Sequence, residues 1–471
     1  MSTDDRPRTR PDLSAARGAP RADDRSGTRR DLVAAALAVL LVAAAVGVGL
    51  ALNGDDNRLF LRWPPLSARW SPHLGPGTPA ALAVAAAVVA CGPGLARRLP
   101  WRTLLVSAWG AAMAWTWSLA LVDGWGRGVA GQLTAKNEYL RVIDRFADVP
   151  AALRGFTGHI LMDSPDNWPA HVAGHPPGAT VTFVLLDRVG LGGGGWAGAF
   201  CITVGASAVA AVLVTVRTLA DESLARRAAP FLVLAPGAVW VGASADGYFA
   251  AVTAWTTALL ALAATRSVRR PAAAALGAGL LSGLTVYLSY GLGLFALVAA
   301  AVLLLARSAR PLPPFLAGAV VVPLVFALLG FDWWEAYHLL VERYYQGAAS
   351  DRPYGYFVWA NLAATVFAVG LATVAGLRRT LARAPSAVRG LRSGGGLPAD
   401  RLVGLVLAVL LALVAADLSG MSKAETERIW LPFTVFLLAA NALLPADRRR
   451  WWLGAQAGGA LLVNHLLLTS W

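Results

Sequence analysis

Apolar runs long enough to cross a bilayer recur along almost the whole chain, among them AALAVLLVAAAVGVGL from Ala35 and GLVLAVLLALVAADL from Gly404. A crossing takes about 20 residues, and inside the lipid every backbone N–H and C=O must find its partner within the protein. A β-barrel could also meet that demand, but it needs short segments of alternating polarity, and these runs do not alternate. The expected fold is an all-α polytopic membrane protein. About thirteen transmembrane helices are predicted, at residues 31 to 52, 79 to 96, 103 to 122, 196 to 216, 228 to 244, 248 to 265, 272 to 289, 291 to 306, 314 to 331, 357 to 376, 402 to 418, 429 to 445 and 452 to 470.

Charge placement orients these spans. The net charge is +14, which in a soluble chain would point to nucleic acid. Here the arginines gather in short loops such as ARRLPWR, RSVRRP and ADRRRW, where they act as topology signals instead, so no nucleic-acid partner is expected. With the N-terminus inside, the compact Arg clusters fall on the cytoplasmic side, and the acidic, His and aromatic residues collect outside. The expectation is a multi-pass protein of the plasma membrane with a cytoplasmic N-terminus. Residues 1 to 30 are Arg-rich, lack an apolar period and are expected to form a disordered cytoplasmic tail near anionic lipid. The run from Leu32 is longer than a signal-peptide core and reads as the first span. Residues 31 to 470 then form one transmembrane domain. Cys91 and Cys201 lie in apolar runs, far from any CxxC or His-rich spacing, and read as small core residues.

One segment decides this topology. If PPGATVTFVLLDRVGL, residues 176 to 191, were a full span, every later loop would invert. It is short, carries Asp187 and Arg188, and precedes GGGG. The reading adopted is an interfacial or re-entrant helix on the outer face, opened by Pro176 and Pro177.

Three outer loops, 123 to 195, 332 to 356 and 417 to 428, carry most of the candidate chemistry. In the first, KNEYLRVIDRFADV places Tyr139, Val142, Ile143, Phe146 and Val149 on one face, as in an amphipathic helix lying on the membrane surface. Glu138, at its start, either serves the helix dipole or binds substrate. Asp123 ends the third span and is followed by Gly124 and Gly126, which let the backbone turn away. It either marks the helix end or acts as a general base. His171 and His175 have the spacing of two metal ligands on a helix, with Asp163 and Asp166 nearby, but Gly174, Pro176 and Pro177 argue against a continuous helix. Hydrogen bonding to a phosphate or a sugar hydroxyl is favoured over metal, and no cofactor is expected. Asp246, in ASADGYF, fits a turn as well as a site. DWWEAYHLLVERYYQG reads as a second amphipathic outer helix, carrying His338 among aromatic residues suited to the interface or to sugar rings. The loop SGMSKAETERIWLP packs Lys423, Glu425, Glu427 and Arg428 into one turn at a membrane boundary, where Arg can hold a lipid phosphate or simply snorkel.

The order LVDGWG, KNEYL, AGHPPG, ASADGY, with a long outer loop after an early span, resembles the GT-C superfamily of membrane glycosyltransferases, best between Thr103 and Arg270. The segment SKAETERIWLP resembles actinobacterial members, and the Ala-, Gly- and Arg-rich composition with only Lys136 and Lys423 as lysines fits a high-GC source. The resemblance implies a GT-C-like fold, a polyprenyl-phosphate sugar donor, a glycan, glycolipid or protein acceptor of the cell envelope, and an extracytoplasmic active site. It implies that Asp123 is the catalytic carboxylate and that His175 borders the donor site. Asp246 matches the place of a metal-binding acid cluster in oligosaccharyl transferases, but ADGYF lacks that cluster's further acids. In the implied inverting displacement, Asp123 deprotonates the acceptor, while Arg428, Lys423, His175 and Glu427 form the donor side. Glu138, His171, Asp246 and His338 are the expected sugar or acceptor contacts. A transporter or flippase of lipid-linked saccharides and a glycan ligase are the competing readings.

Overall fold

The computed structural model describes residues 22–54, 57–242 and 244–470. Among them the chain is almost wholly helical, as expected of an all-α membrane protein. Eight helices are long and apolar enough to cross a bilayer: Ser26–Asn53, Thr78–Arg98, Trp101–Asp123, Gly194–Leu219, Ala245–Ala264, Pro271–Leu288, Tyr354–Ser393 and Pro398–Leu418. A ninth arises if Leu312–Leu328 and Trp333–Gln346, bent by 79°, count as one broken span.

The count of thirteen is therefore not reached among the described residues, for local reasons. The segment expected at 228 to 244 is helical only over Glu222–Val233, and the chain then passes Pro236 and Gly237 before a single turn at Ala238–Val241. Proline cannot supply the N–H that a continuous helix needs there. The segments at 291 to 306 and 429 to 445 form the short apolar helices Tyr290–Ala306 and Leu431–Leu443. The last expected span is helical over Arg449–Leu466 and then becomes a strand. Residues 176 to 191 hold the helix Gly178–Arg188, whose 11 residues are too few to cross.

Small residues let the helices approach closely. Pro271–Leu288 packs along Leu312–Leu328, and Gly279 faces Phe315 so tightly that a Cβ would lie 2.0 Å from its carbonyl oxygen. Such contacts drive helix association in lipid, where burial of apolar surface gives little advantage.

Three further expectations are corrected. The helix that forms the first span begins at Ala22, so residues 22 to 30 are helical where a disordered tail was predicted; the remainder of that tail lies outside the described residues. Asp31 explains the order: it is fully buried and accepts from Arg378 and from Arg379 Nη2 at 2.7 Å, joining the first helix to Tyr354–Ser393. The amphipathic segment at 137 to 149 is a 3-10 helix, Tyr139–Phe146, packed under Gly178–Arg188 rather than laid on lipid, with Tyr139 against Phe183 at 5.6 Å. Cys201 is buried as expected, but Cys91 is exposed on the outside of Thr78–Arg98.

A two-stranded antiparallel ribbon, Ala68–Trp70 with Leu467–Thr469, joins the loop before the second span to the C-terminus. The pairing continues as Ser71 N–H and His73 N–H donate to Leu466 O and His465 O, both at 2.9 Å. This register carries His73 to the end of the third span.

Candidate functional site

The helix Trp101–Ala120 ends in one 3-10 turn, Leu121–Asp123, and Gly124 at φ +75° then turns the chain away. Only glycine adopts that angle freely. Asp123 is left at the rim, its side chain 15% exposed. Oδ1 lies 2.7 Å from His73 Nε2, and Arg127 Nε lies 3.6 Å from Oδ2. His73 Nδ1 lies 2.7 Å from Ser71 O. A carbonyl only accepts, so Nδ1 carries a proton and Nε2 is the ring atom that meets the carboxylate.

Arg127 leads from this carboxylate into a cavity. Its Nη2 donates to Thr469 O, and the cavity beside it, about 470 Å³, is lined by Arg62, Arg69, Arg127 and the ribbon strands, with no acidic side chain among the described residues of its wall. His73, Arg62, Arg69 and Arg127 were not foreseen. A signal existed: Arg62 and Arg69 lie in a loop expected outside, against the positive-inside bias that drew notice to Arg428.

A second group is buried nearby. Ser244 caps the helix Ala245–Ala264, accepting from Asp246 N–H at 3.1 Å and donating to Asp246 Oδ2 at 2.9 Å. The positive helix end favours the carboxylate. Across from it, Ala424 and Glu425 both adopt left-handed backbone, φ 76° and 62°, before the short helix Thr426–Ile429. Non-glycine residues pay strain for that conformation, and here it aims Glu425 and Arg428 at one point. Arg428 donates to Asp246 Oδ2, to Glu425 Oε2 at 3.1 Å and to His171 Nε2 at 3.5 Å. Because guanidinium can only donate, His171 Nε2 accepts, and its Nδ1–H donates to Glu138 Oε1 at 2.7 Å. His175 Nδ1 donates to His171 O at 2.8 Å, leaving Nε2 as an acceptor. Burial pushes the His175 ring down to about 4, with Asp246 working against it, so the ring is neutral at physiological pH. Tyr139 closes the group, its ring 5.9 Å from His175, and burial, with Asp246 and Glu138, holds its hydroxyl well above the usual range.

The structure thus brings together Glu138, His171, His175, Asp246 and Arg428. The turn Ala238–Val241 packs on both Trp101–Ala120 and Thr426–Ile429, which sets this group beside the helix that carries Asp123. One guanidinium faces three carboxylates, Glu138, Asp246 and Glu425, so the group is rich in acceptors and suits hydroxyls better than phosphate. Although burial opposes the Arg428 cation, Asp246 and Glu425 hold its pKa above the ordinary value. A neutral His175 offers no cation to a phosphate. Lys423 points elsewhere, donating from Nζ to Ala349 O at 2.8 Å with its ammonium over Tyr345. His338 is exposed on Trp333–Gln346 beside Tyr337.

Glu427 is fully buried and cannot touch a ligand in this arrangement; its Oε1 accepts from Ser67 N–H at 3.0 Å, tying this loop to the ribbon. Its Oε2 has no hydrogen-bond partner among the described residues. Burial pushes this carboxyl from its ordinary 4.5 up to about 7; Ser67 N–H and Arg428 oppose the rise and Glu425 adds to it. The folded state then holds a proton that the unfolded state has lost between these values, so this group's stabilisation is complete below pH 4.5 and fades as pH rises to about 7. Melting temperatures of the detergent-solubilised chain should therefore fall across this window for the wild type and fall less for Glu427→Gln. Parallel profiles would refute the buried protonated carboxyl.

No protein-family profile and no curated protein matches the chain. Two solved structures of the Archaeoglobus fulgidus oligosaccharyltransferase are similar to it. One, tethered with an acceptor peptide containing the NVT sequon, shares 14% identity at a TM-score of 0.44, covering 74% of this chain and 50% of that one. The other, a complex with Zn and sulfate, shares 15% at 0.44, covering 76% and 51%. The chain thus spans about half the length of these relatives.

Proposed function

We propose that this multi-pass membrane protein transfers a sugar from a polyprenyl-phosphate-linked donor to an extracytoplasmic acceptor, with Asp123 as general base. The observation that supports this most is the juxtaposition at Arg127: a rim carboxylate on one side, and on the other a cavity lined, among the described residues, by three arginines and no acid. Inverting transfer needs that pairing, a proton acceptor for the attacking hydroxyl and fixed cations for the departing phosphate. Asp123 Oδ2 takes the acceptor proton, since Oδ1 is bonded to His73. The hydroxyl oxygen forms the new bond to the anomeric carbon as the bond to the lipid phosphate breaks. The phosphate leaves with the electron pair, and Arg62, Arg69 and Arg127 meet its charge in place of Arg428, Lys423, His175 and Glu427. His175 Nε2, left open beside Glu138 and Asp246, accepts from a sugar hydroxyl, and His171, committed on both ring nitrogens to Arg428 and Glu138, positions that wall.

Purified protein in liposomes, given a labelled polyprenyl-phosphate sugar and a glycan acceptor, should form glycosylated product. Arg127→Gln should raise the donor KM roughly tenfold, with a smaller change in kcat, because a charge-assisted phosphate contact is removed. Movement of the lipid across the bilayer without sugar transfer would replace this reading with transport. Transfer of whole lipid-linked glycans alone would replace it with ligation.

A further inference from the structure

The end of the helical layer opposite Asp246 carries a second concentration of charge. Ala245–Ala264 starts beside Asp246 and, at 1.5 Å per residue, ends about 30 Å away at Thr265 and Arg266. There a cavity of about 600 Å³ is lined by Arg266, Arg307, Arg310 and Arg401, with Thr265 and Ser308 between them and no Asp or Glu among the described residues of its wall. Arg266 and Arg307 adopt left-handed backbone, φ 56° and 52°, at the ends of two different helices around this one cavity. Both cap helix C-termini, with Ser267 N–H and Ser308 N–H returning to Leu262 O at 3.0 Å and Leu303 O at 3.1 Å, and they turn the two chain ends around the cavity.

Capping does not account for the charge. Two helices, Ala245–Ala264 and Phe295–Ala306, end here and two others, Leu312–Leu328 and Pro398–Leu418, begin here, so their terminal partial charges offset one another. Arg307 donates to Leu391 O and Arg401 to Leu219 O, and both acceptors are neutral. Arg266 and Arg310 form no ion pair among the described residues. Four arginines therefore line one cavity with no carboxylate among the described residues of its wall.

The cavity also continues onto an exposed apolar surface. A second one, about 450 Å³, shares Leu305, Arg307 and Arg401 with it and continues between Leu304, Val388 and Leu391. Leu304 and Val388 are 76% and 40% exposed, as membrane-facing side chains would be. We infer that this composite site binds an anionic phospholipid, its phosphate on the four arginines and an acyl chain along the apolar groove. Guanidinium matches phosphate in bidentate fashion, and the groove supplies what a soluble phosphate would not use. The positive-inside rule puts this end in the cytoplasmic leaflet, where anionic lipids attract basic clusters.

The test is native mass spectrometry of the full chain, titrated with phosphatidylglycerol and with phosphatidylcholine of the same acyl chains. The wild type should bind phosphatidylglycerol roughly tenfold more tightly. Arg266→Gln/Arg310→Gln removes side chains that hold no other part of the protein, and should lose most of that preference while keeping its phosphatidylcholine affinity, which reports an intact fold. Equal affinities for the two lipids in the wild type, or a preference undiminished in the double variant, would overturn the assignment. So would displacement of phosphatidylglycerol by inorganic phosphate at equal concentration, which would mark a site for a soluble anion.

Discussion

Arg428→Met is expected to destabilise the protein by about 3–5 kcal/mol, and adding Asp246→Asn in the same chain is expected to restore most of the loss. The reasoning rests on what the single change leaves behind. Asp246 and Arg428 are 3% and 5% exposed, so neither can recover its lost partner from water. Removing only the guanidinium strands the Asp246 carboxylate, with Glu138 close by, and the penalty is that of an uncompensated buried charge. Neutralising Asp246 as well removes the penalty. Arg428→Lys should fall between, because a single ammonium cannot reach Asp246, Glu425 and His171 together as the planar guanidinium does. Thermal midpoints of the wild type, of Arg428→Met and Asp246→Asn alone, and of the double variant complete a double-mutant cycle. Additive effects would show that the two residues are not coupled and would remove the basis for treating this group as one unit.

Asp123→Asn should lower the turnover of sugar transfer by about 10²–10⁴-fold while leaving the donor KM close to wild type. The amide has the shape of the carboxylate and keeps an oxygen for His73, but it cannot take a proton from an attacking hydroxyl. The loss should therefore fall on kcat. If Asp123 only closed the helix end, the same variant would change stability slightly and transfer hardly at all. A drop in donor affinity with unchanged turnover would instead assign Asp123 to binding. His73→Gln, which keeps a hydrogen-bond donor but not the ring anchored on Ser71 O, should give a milder fall.

The helical membrane class was legible because apolar runs of span length admit few other folds in lipid. Span number was less so: hydropathy over 228 to 244 and 429 to 445 does not reveal that Pro236 and Gly237 interrupt the first stretch, or that the second is parted at Trp430 and tightens into the 3-10 helix Leu438–Leu443. Asp123, Glu138, His171, Asp246 and Arg428 were each visible as a charge at an outer boundary. Their grouping was not, since it depends on how the turn Ala238–Val241 packs between two distant helices. Roles were harder still. Nothing in SKAETERIW separates Arg428, which three carboxylates surround, from Glu427, which faces the other way toward Ser67. His73 and Arg127 owe their positions to a ribbon between residues about 400 apart in sequence, a pairing no local pattern announces.

The account's central claim is that one site unites the Asp123 base with the arginine-lined cavity. The most direct measurement is a cryo-electron microscopy structure of the chain with a polyprenyl phosphonate sugar analogue that cannot be transferred. The phosphonate oxygens should lie about 3 Å from guanidinium nitrogens of Arg62, Arg69 or Arg127. The anomeric carbon should be turned toward Asp123 and the sugar toward His171 and His175. A phosphonate bound on Arg428, or anywhere that leaves the anomeric carbon out of reach of Asp123, would contradict it.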